Sequence, residues 1–420
     1  MSQSINLYNQ LAKNKLFSKK IKFDLKRIKI ILNKLNSPEQ RLKNVINIIG
    51  SDGKYSLLTS LKFFIEANNN KVSAYISPSL VDIKERFWMG EKFLSHLEIK
   101  KTIKIIEKQK IHLTIFEALT VVYILNAAKK NNDYNLIEAG ALFAKDSTNV
   151  FDFPKIQAVV NINKQHLNFL EKKTLNEVIY QKVGFLSNFT NIYIGKQKEY
   201  VLKKIRKLLK KNLSVVNYPS SWKLIKRKNK YFYKDKKLKI ELLNKYIHST
   251  GLLENLCLAI KIALDLGISR KIIIKTIPKI RFQARIEYIN KGKLKRKLFP
   301  KEKLLIDGCH SETSAINLVN YLKTTNVPIY GIWAMTKNKE PDKFIKKFNG
   351  IFKKLITIPI KNDKTSLPKE LLLRIAKKNN YNAASAKDFE TALKVVSSRE
   401  KKIIVCFGSL YSAGYILSKN

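Results

Sequence analysis

One stretch, residues 44–67, constrains the fold more than any other: NVINIIGSDGKYSLLTSLKFFIEA. It opens with an apolar run of the kind that a buried parallel strand needs. Its last part repeats apolar residues at the spacing of one helix face. The intervening glycines let backbone N–H groups turn toward an anion, and the helix N-terminus adds partial positive charge. The stretch therefore predicts a phosphate-binding loop over Gly50 and Gly53, with Lys54 pairing with distal phosphates and Ser56 ligating Mg²⁺.

Taken alone, this loop leaves two interpretations open. A complete nucleotide-binding loop of this type has glycine at position 48, where this chain has Ile48. An ordinary glycine turn between a strand and a helix, with Lys54 merely exposed, explains the loop equally well. The choice between them depends on the rest of the chain.

Predicted strands and helices alternate along the chain, which indicates an α/β fold with a mostly parallel sheet. In such sheets, ligands bind beyond the carboxyl ends of the strands. Gly50, Ser77, Glu138 and His166 each fall just after a predicted strand. We therefore expect them at one edge of the sheet, where Glu138 is a candidate Mg²⁺ ligand.

The alternation restarts after residues 281–301, a segment rich in Lys and Arg that suggests an interdomain linker. We predict a P-loop-type ATPase domain with N-terminal helices over residues 1–285 and a smaller Rossmann-like α/β domain over 286–420. In the second domain, Asp307 and His310 follow a predicted strand. This placement suits nucleotide contact, although a tight turn with an Asx bond would look the same.

The net charge of +50, from 82 Lys and Arg against 32 Asp and Glu, calls for an interpretation. One is a polyanionic partner, and the other is compositional drift toward Lys, Asn and Ile. The lysines are spread through every predicted helix and loop, and no basic helix or aromatic-lined sheet motif stands out. We favour drift and predict no specific nucleic-acid partner.

The cysteines and the apolar stretches of the sequence indicate where in the cell the protein is located. Cys257, Cys309 and Cys406 are far apart and odd in number, which predicts neither a disulfide framework nor a metal site and fits a reducing cytoplasm. The first fifteen residues lack the apolar core of a signal peptide. The most apolar helix candidate, residues 113–128, is too short to span a bilayer. We expect a soluble, cytoplasmic protein with no membrane partner.

Short motifs occur in order along nearly the whole chain: residues 44–56, Ser77-Pro78, Glu138, Thr148-Asn149, His166, residues 181–184, Glu254-Asn255, Arg285, residues 307–310, Met335 with Lys337 and Lys339, and residues 408–411. Their order and spacing resemble folylpolyglutamate synthase/dihydrofolate synthase, a member of the Mur ligase superfamily. The N-terminal Phe23-Asp24-Leu25 with Arg27 fits the same family.

What this resemblance implies is a monomeric, Mg²⁺-dependent ATP ligase. Such an enzyme joins L-glutamate to dihydropteroate, to a reduced folate (tetrahydrofolate polyglutamates), or to both. An ionised carboxylate is a poor electrophile, so ATP first converts it to an acyl phosphate, which the amino group of glutamate attacks. The protein contributes positioning and charge neutralisation.

The resemblance also assigns roles by position. The ATP-binding residues would be Gly50, Asp52, Gly53, Lys54, Tyr55, Ser56, Asn255 at the adenine, Arg285 and Asp307. The metal ligands would be Ser56, Ser77, Glu138, His166 and Lys182. Lys182 matches the lysine that the family carbamylates, which turns a cation into a metal-binding carboxylate. The catalytic residues would be Lys54, Lys182 and His310. The pterin pocket would be lined by Asp24, Leu25, Lys26, Thr114, Ile115, Phe116, Glu117, Lys145, Asp146 and Ser147.

Some positions depart from the family pattern. Asp52 replaces an asparagine and brings a carboxylate near phosphates, which repulsion disfavours unless the side chain turns away or meets a cation. Tyr55 replaces a glycine and reduces the freedom of the loop. Gln165 stands for the aspartate before the histidine. Two other functions therefore stay open: a Mur-like ligase for a different carboxylate, and a catalytically degenerate ATP-binding homologue.

Overall fold

The computed structural model describes residues 3–20, 23–209, 214–228, 230–337 and 339–420. The chain splits into two compact units. One comprises Met1–Asn244 and Leu252–Ile280, and the other comprises Lys245–Gly251 and Arg281–Asn420.

Up to residue 280, strands and helices follow one another as the sequence predicts. The strands are β1 (Phe17–Ser18), β2 (Val45–Ile49), β3 (Val72–Tyr75), β4 (Phe87–Met89), β5 (Leu113–Thr114), β6 (Tyr134–Glu138), β7 (Ile156–Val159), β8 (Asn191–Ile194), β9 (Ser214–Asn217), β10 (Trp222–Arg227), β11 (Lys230–Asp235) and β12 (Lys239–Glu241). The helices are α1 (Gln3–Lys13), α2 (Leu25–Lys34), α3 (Lys54–Ala67), α4 (His96–Glu107), α5 (Ile115–Ala127), α6 (Leu175–Val183), α7 (Glu199–Leu208), α8 (Thr250–Asp265) and α9 (Arg270–Thr276).

The main sheet of the first unit has β2 at its centre. Within the described residues its strand order is β4-β3-β6-β2-β7-β8-β9, and neighbours run parallel except β3 and β4. All five residues of β2 are buried, as expected for a strand covered on both faces. The carboxyl ends of β3, β6 and β2 therefore meet at one edge, where the phosphate loop begins.

Helix α5 shows how local signals define an element. The sequence predicts one helix over residues 113–128, whereas the structure begins it at Ile115 and pairs β5 in parallel with β1. Thr114 and Glu117 form a capping box, each side chain accepting from the backbone N–H of the other. A two-residue strand carries no periodicity, so the sequence pattern could not separate it from the helix.

A small antiparallel sheet, β10-β11-β12, follows the main sheet. Lys223 lies directly opposite Lys234, which lies directly opposite Lys239, and all three are exposed. We call these residues the lysine row. The sequence predicts only strands and turns over residues 191–247; that prediction is wrong for helix α7, which buries Val201 and Ile205.

The second unit repeats the alternation. Its strands are β13 (Glu287–Tyr288), β14 (Glu302–Ile306), β15 (Ile329–Trp333), β16 (Lys354–Thr357), β17 (Ala383–Ser385) and β18 (Lys402–Phe407). Its helices are α10 (Lys293–Arg296), α11 (Glu312–Leu322), α12 (Pro341–Lys346), α13 (Lys369–Lys378), α14 (Phe389–Val396) and α15 (Leu410–Leu417). In the described residues the strand order is β13-β14-β18-β15-β16-β17, with β13 antiparallel to β14 and the other pairs parallel.

The α/β class with mostly parallel sheets is confirmed in both units. The predicted linker over residues 281–301 is wrong, because this segment contributes β13 and α10 to the second unit. Ile286, Ile289 and Leu294 are buried among its basic residues and anchor it there. Among the helices of the described residues, none is long and apolar enough to cross a membrane.

Candidate active site

The loop between β2 and α3 has the backbone geometry of a phosphate cradle. Gly50 and Gly53 adopt φ angles of +145° and +99°, which side chains other than glycine rarely tolerate. A Cβ at Gly50 would lie 2.4 Å from Val160 Cγ2, and one at Gly53 would lie 2.3 Å from Asn255 Nδ2. The loop is thus closely packed from behind and ends at the N-terminus of α3, where backbone N–H groups can receive an anion.

The side chain of Lys54 is held at this loop by hydrogen bonds to backbone carbonyl oxygens. Its Nζ donates to the carbonyl oxygens of Gly50 and Ser51, at 3.2 Å each, and lies 3.9 Å from Glu138 Oε1. The ammonium group therefore lies between the loop and the end of β6, as a phosphate-pairing lysine requires.

Oxygen ligands suited to Mg²⁺ lie at the same edge. Glu138 is the last residue of β6, is only 4% exposed, and its Oε2 accepts from the backbone N–H of Ser77 at 3.3 Å. Ser56 is buried; its Oγ donates to the Gly53 carbonyl at 2.9 Å and accepts from Asn255 Nδ2 at 2.9 Å. The structure thus brings Lys54, Ser77 and Glu138 together, and it places the amide of Asn255 at the phosphate loop.

His166 is the predicted imidazole ligand of the metal site and lies on the segment that follows β7. His166 has a φ of +61° just before a 3-10 turn, and its ring stacks on Phe169 with centroids 6.3 Å apart. Among the described residues, no three His, Cys, Asp or Glu side chains cluster so as to hold a metal ion. The predicted set of two hydroxyls, one carboxylate, one imidazole and the carbamate of Lys182 would leave any remaining position to water or phosphate oxygens, as Mg²⁺ sites commonly do.

Lys182 reaches the phosphate loop from α6. Its side chain is almost fully buried, at 1% exposure, and its Nζ donates to the carbonyls of Gly50 at 2.9 Å and Ala141 at 2.6 Å. Burial and the positive charge of Lys54 together lower the pKa of Lys182 to about 7, against the opposing charges of Asp146 and Asp52. At neutral pH, the amine is therefore partly unprotonated.

Asp52 is turned toward the segment that follows β7. Asn163 Nδ2 donates to Asp52 Oδ2 at 2.6 Å, and Gln165 Nε2 donates to Oδ1 and Oδ2 at 3.2 and 3.1 Å. Sequence reasoning missed this contact, because these residues are 111 and 113 positions apart and lie on different elements.

The residues predicted for the pterin pocket form two connected groups. Arg27 Nη2 donates to Glu117 Oε1 at 2.8 Å, and its Nη1 lies 3.4 Å from Asp24 Oδ2, which links α2 to α5. Ser147 Oγ lies 2.7 Å from the hydroxyl of Thr120 on α5. Residues 24–27, 114–117 and 145–147 thus gather around one end of α5, and Arg27 and Thr120 are the connecting residues.

Asp146 is the buried carboxyl group of this region. It accepts from the backbone N–H and the hydroxyl of Thr148, at 3.0 and 2.6 Å. Burial raises the pKa of Asp146, and the hydrogen bonds from Thr148 and the charge of Lys182 oppose that rise. A Cβ at Gly140 would lie 2.4 Å from Asp146 Oδ2 and 3.0 Å from the Phe116 ring, so both side chains face one narrow space.

In the second unit, Asp307 is nearly fully buried at the end of β14. It accepts from the backbone N–H of Ile286 at 2.8 Å and of Cys309 at 2.7 Å, so the predicted Asx bond is present. Burial raises the pKa of Asp307, while the guanidinium of Arg285 opposes the rise. His310 donates from Nδ1 to the carbonyl two residues before it at 2.9 Å, which orients the ring.

Comparisons with known proteins point to one family. Residues 291–419 match the family model described as the C-terminal domain of dihydrofolate synthetase. The dihydrofolate synthase/folylpolyglutamate synthase of Buchnera aphidicola is 22% identical over 96% of this chain and 94% of its own length. The chain is thus similar to folylpolyglutamate synthase/dihydrofolate synthase over nearly its whole length.

Solved structures of this family share the fold. E. coli FolC in complex with DHPP and ADP matches with a TM-score of 0.84 at 18% identity, covering 98% of this chain and 97% of that one. A bifunctional folylpolyglutamate synthase/dihydrofolate synthase with Mn, AMPPNP and L-glutamate bound matches with a TM-score of 0.82 at 18% identity, covering 98% and 97%. The predicted resemblance and the predicted two-domain fold class are confirmed.

Two of the positions that depart from the family pattern lie next to each other. The departures at Asp52 and Gln165 contact each other in the structure, at 3.1 and 3.2 Å. Tyr55 lies in the first turn of α3, where its backbone continues the helix normally. Neither departure distorts the loop geometry set by Gly50 and Gly53.

Proposed function

We propose that this chain is an ATP-dependent, Mg²⁺-dependent ligase that joins L-glutamate to dihydropteroate, to tetrahydrofolate polyglutamates, or to both. The observation that carries the proposal is the meeting of a glycine cradle, Lys54 and Glu138 at one edge of the parallel sheet. The ligands named for the related structures, which include DHPP, ADP and L-glutamate, support it.

The residues of this edge suit the activation of a carboxylate. The loop N–H groups and the ammonium of Lys54 would neutralise the charge of the transferred phosphoryl group. Glu138 and Ser56 would hold Mg²⁺, which when bound would supply positive charge that polarises phosphate oxygens. The carboxyl group of the pterin substrate would become an acyl phosphate, the amino group of glutamate would attack its carbonyl carbon, and phosphate would leave.

We further propose that Lys182 is carbamylated in the active enzyme. Only a neutral amine attacks carbon dioxide, and the lowered pKa of Lys182, about 7, leaves much of it neutral at physiological pH. A nitrogen–carbon bond forms and the nitrogen loses a proton, so a cation becomes an anionic oxygen ligand of the kind that Mg²⁺ prefers. Lys182→Ala should lose activity and regain part of it with added acetate, whereas full activity without acetate would contradict the carbamate.

The assay for the main proposal is phosphate release from ATP with glutamate, with dihydropteroate and tetrahydrofolate offered separately. We expect release that requires glutamate and at least one pterin, and mass spectrometry should show the glutamylated product. Lys54→Met provides a matched control, because it keeps the aliphatic stem and removes the charge. Absence of a glutamylated product with either pterin would refute this ligase activity and leave the two alternatives, a Mur-like ligase for a different carboxylate and a degenerate homologue.

Location and assembly form part of the same proposal. The chain would act as a cytoplasmic monomer without a specific nucleic-acid partner. The cysteines support a reducing compartment, since Cys257, Cys309 and Cys406 are all free and buried. Light scattering on the purified protein tests the monomer directly.

A further inference from the structure

A carboxylate lies inside the loop that would hold the nucleotide phosphates. Asp52 is placed between Gly50 and Gly53, and its backbone belongs to the cradle. A carboxylate facing phosphates would weaken nucleotide binding, because like charges repel strongly where water is partly excluded. The loop can serve a nucleotide only if this side chain turns away from the phosphates or meets a cation.

In the structure, two neutral side-chain amide groups donate hydrogen bonds to the Asp52 carboxylate. Asn163 Nδ2 donates to Asp52 Oδ2 at 2.6 Å, and Gln165 Nε2 donates to both carboxylate oxygens at 3.1 and 3.2 Å. Hydrogen bonds to an ionised acceptor are shorter and stronger than those between neutral groups. The carboxylate is thus directed toward residues 163–165.

The segment that carries these amides is itself fixed to the loop. Ser51 N donates to the carbonyl of Asn161 at 2.8 Å, and the Ser51 hydroxyl donates to the carbonyl of Asn163 at 3.3 Å and accepts from its N–H at 3.1 Å. Gln197 holds the same segment from its other side, since it bonds the backbone of residues 160 and 162 at 2.9 Å each. The amide groups therefore occupy defined positions relative to the loop.

We propose that Asn163 and Gln165 are positioning residues that hold the Asp52 carboxylate away from the nucleotide, so that the loop presents its backbone N–H groups to the phosphates. The proposal rests on the proposed function, because it concerns the nucleotide of that reaction. It requires the Gln165 side chain to be a hydrogen-bond donor as long as residue 52 is a carboxylate.

Gln165→Glu tests this requirement with nearly unchanged shape. The variant places a second carboxylate about 3 Å from the first, where the two cannot both ionise without strong repulsion. We expect the dissociation constant for MgADP, measured by calorimetry, to rise about tenfold or more, the scale of a lost hydrogen bond to a charged group. The KM for ATP should rise in parallel, with a smaller change in kcat at saturating ATP.

The rescue variant is the Asp52→Asn, Gln165→Glu pair, in which the donor and the acceptor exchange places. We expect it to restore MgADP affinity to within about threefold of the natural chain, whereas a merely structural role of Gln165 would give no rescue. Asn168→Asp adds a carboxylate to the same segment at an exposed position and should leave affinity unchanged.

Thermal melting of each variant separates lost folding from lost binding. If Gln165→Glu fails to fold, Gln165→Ala replaces it, and Asp52→Asn should again restore the lost affinity. Unchanged MgADP affinity in the folded single variants, or no recovery in the pair, would overturn the inference. Failure of the proposed function is distinguishable, because the natural chain would then bind MgADP without forming a glutamylated product.

Discussion

The buried amine of Lys182 should give this protein a stability that rises with pH above neutrality. In the folded chain, the pKa of Lys182 is about 7, against an ordinary value of 10.5 that the unfolded chain recovers. Between these two values the unfolded state binds one more proton, so the free energy of unfolding increases with pH. Each pH unit contributes about 1.4 kcal/mol, and the window from about pH 7 to about pH 10 contributes about 4 kcal/mol.

The free energy of unfolding rises with pH because folding lowers the pKa of Lys182. Below about pH 7, the folded and the unfolded chain both carry the proton on Lys182, and the folded chain bears the full cost of burying the charge. The contribution of Lys182 to the free energy of unfolding is then independent of pH. As pH rises through the folded pKa, the native amine becomes neutral and the cost is relieved. It is fully relieved once the unfolded chain also loses the proton, near its ordinary pKa of 10.5.

The assay is urea denaturation of the natural chain and of Lys182→Met, in buffer free of carbon dioxide and divalent metal. Met keeps the aliphatic stem and removes the amine, so the difference between the two unfolding free energies isolates this group from other titrations. That difference should be flat below about pH 7 and rise by about 1.4 kcal/mol per unit above it. Parallel curves from neutral to alkaline pH would show that Lys182 does not titrate in this way.

Other changes test the site and its surroundings. Glu138→Ala should keep the fold and remove most ligase activity, because it deletes the buried carboxylate beside Lys54; near-normal turnover at saturating Mg²⁺ would contradict the metal role. Gly53→Ala should cost about 1–3 kcal/mol of stability and weaken MgADP binding, since its φ is +99° and the added Cβ would meet Asn255 at 2.3 Å; calorimetry and urea titration measure both. DNA binding should be weak and fade above roughly 0.2 M salt, and a tight, sequence-dependent complex at that salt would show a specific nucleic-acid site.

Elements whose defining residues are contiguous in the chain were predictable from the sequence. The apolar run of β2, the glycines and the apolar face of α3 are contiguous, so strand, loop and helix follow from spacing alone. The rule that parallel strands end at one edge then placed Ser77 and Glu138 on the edge that carries Lys54, and the structure supplies the distances.

Contacts between distant segments were not predictable in this way. Lys182 bonds to Gly50 across 132 residues, and no pattern in the sequence records its burial or its lowered pKa. The resemblance named Lys182 as a ligand, but only the fold shows which carbonyls hold its amine. The Asp52 contacts are of the same kind, because their geometry depends on where two separate loops meet.

Two local predictions failed for reasons that lie in the residues. Residues 281–301 suggested a linker because basic side chains outnumber the buried apolar residues, which include Ile286, Ile289 and Leu294. Helix α7 was missed inside a lysine-rich region, although Val201 and Ile205 recur at helical spacing and face the core.

The lysine row has a consequence for how different parts of the first unit respond to salt. Like charges directly opposite on neighbouring strands destabilise a sheet, and Lys223, Lys234 and Lys239 stand in register across three strands. The screening length of dissolved ions is about 10 Å at 0.1 M. The repulsion between these lysines therefore decreases as ionic strength rises. Surface ion pairs such as Lys203 with Glu199 weaken under the same conditions. One unit thus contains charge contacts with opposite salt responses: added ions relieve the repulsion within the lysine row and weaken the attraction between Lys203 and Glu199.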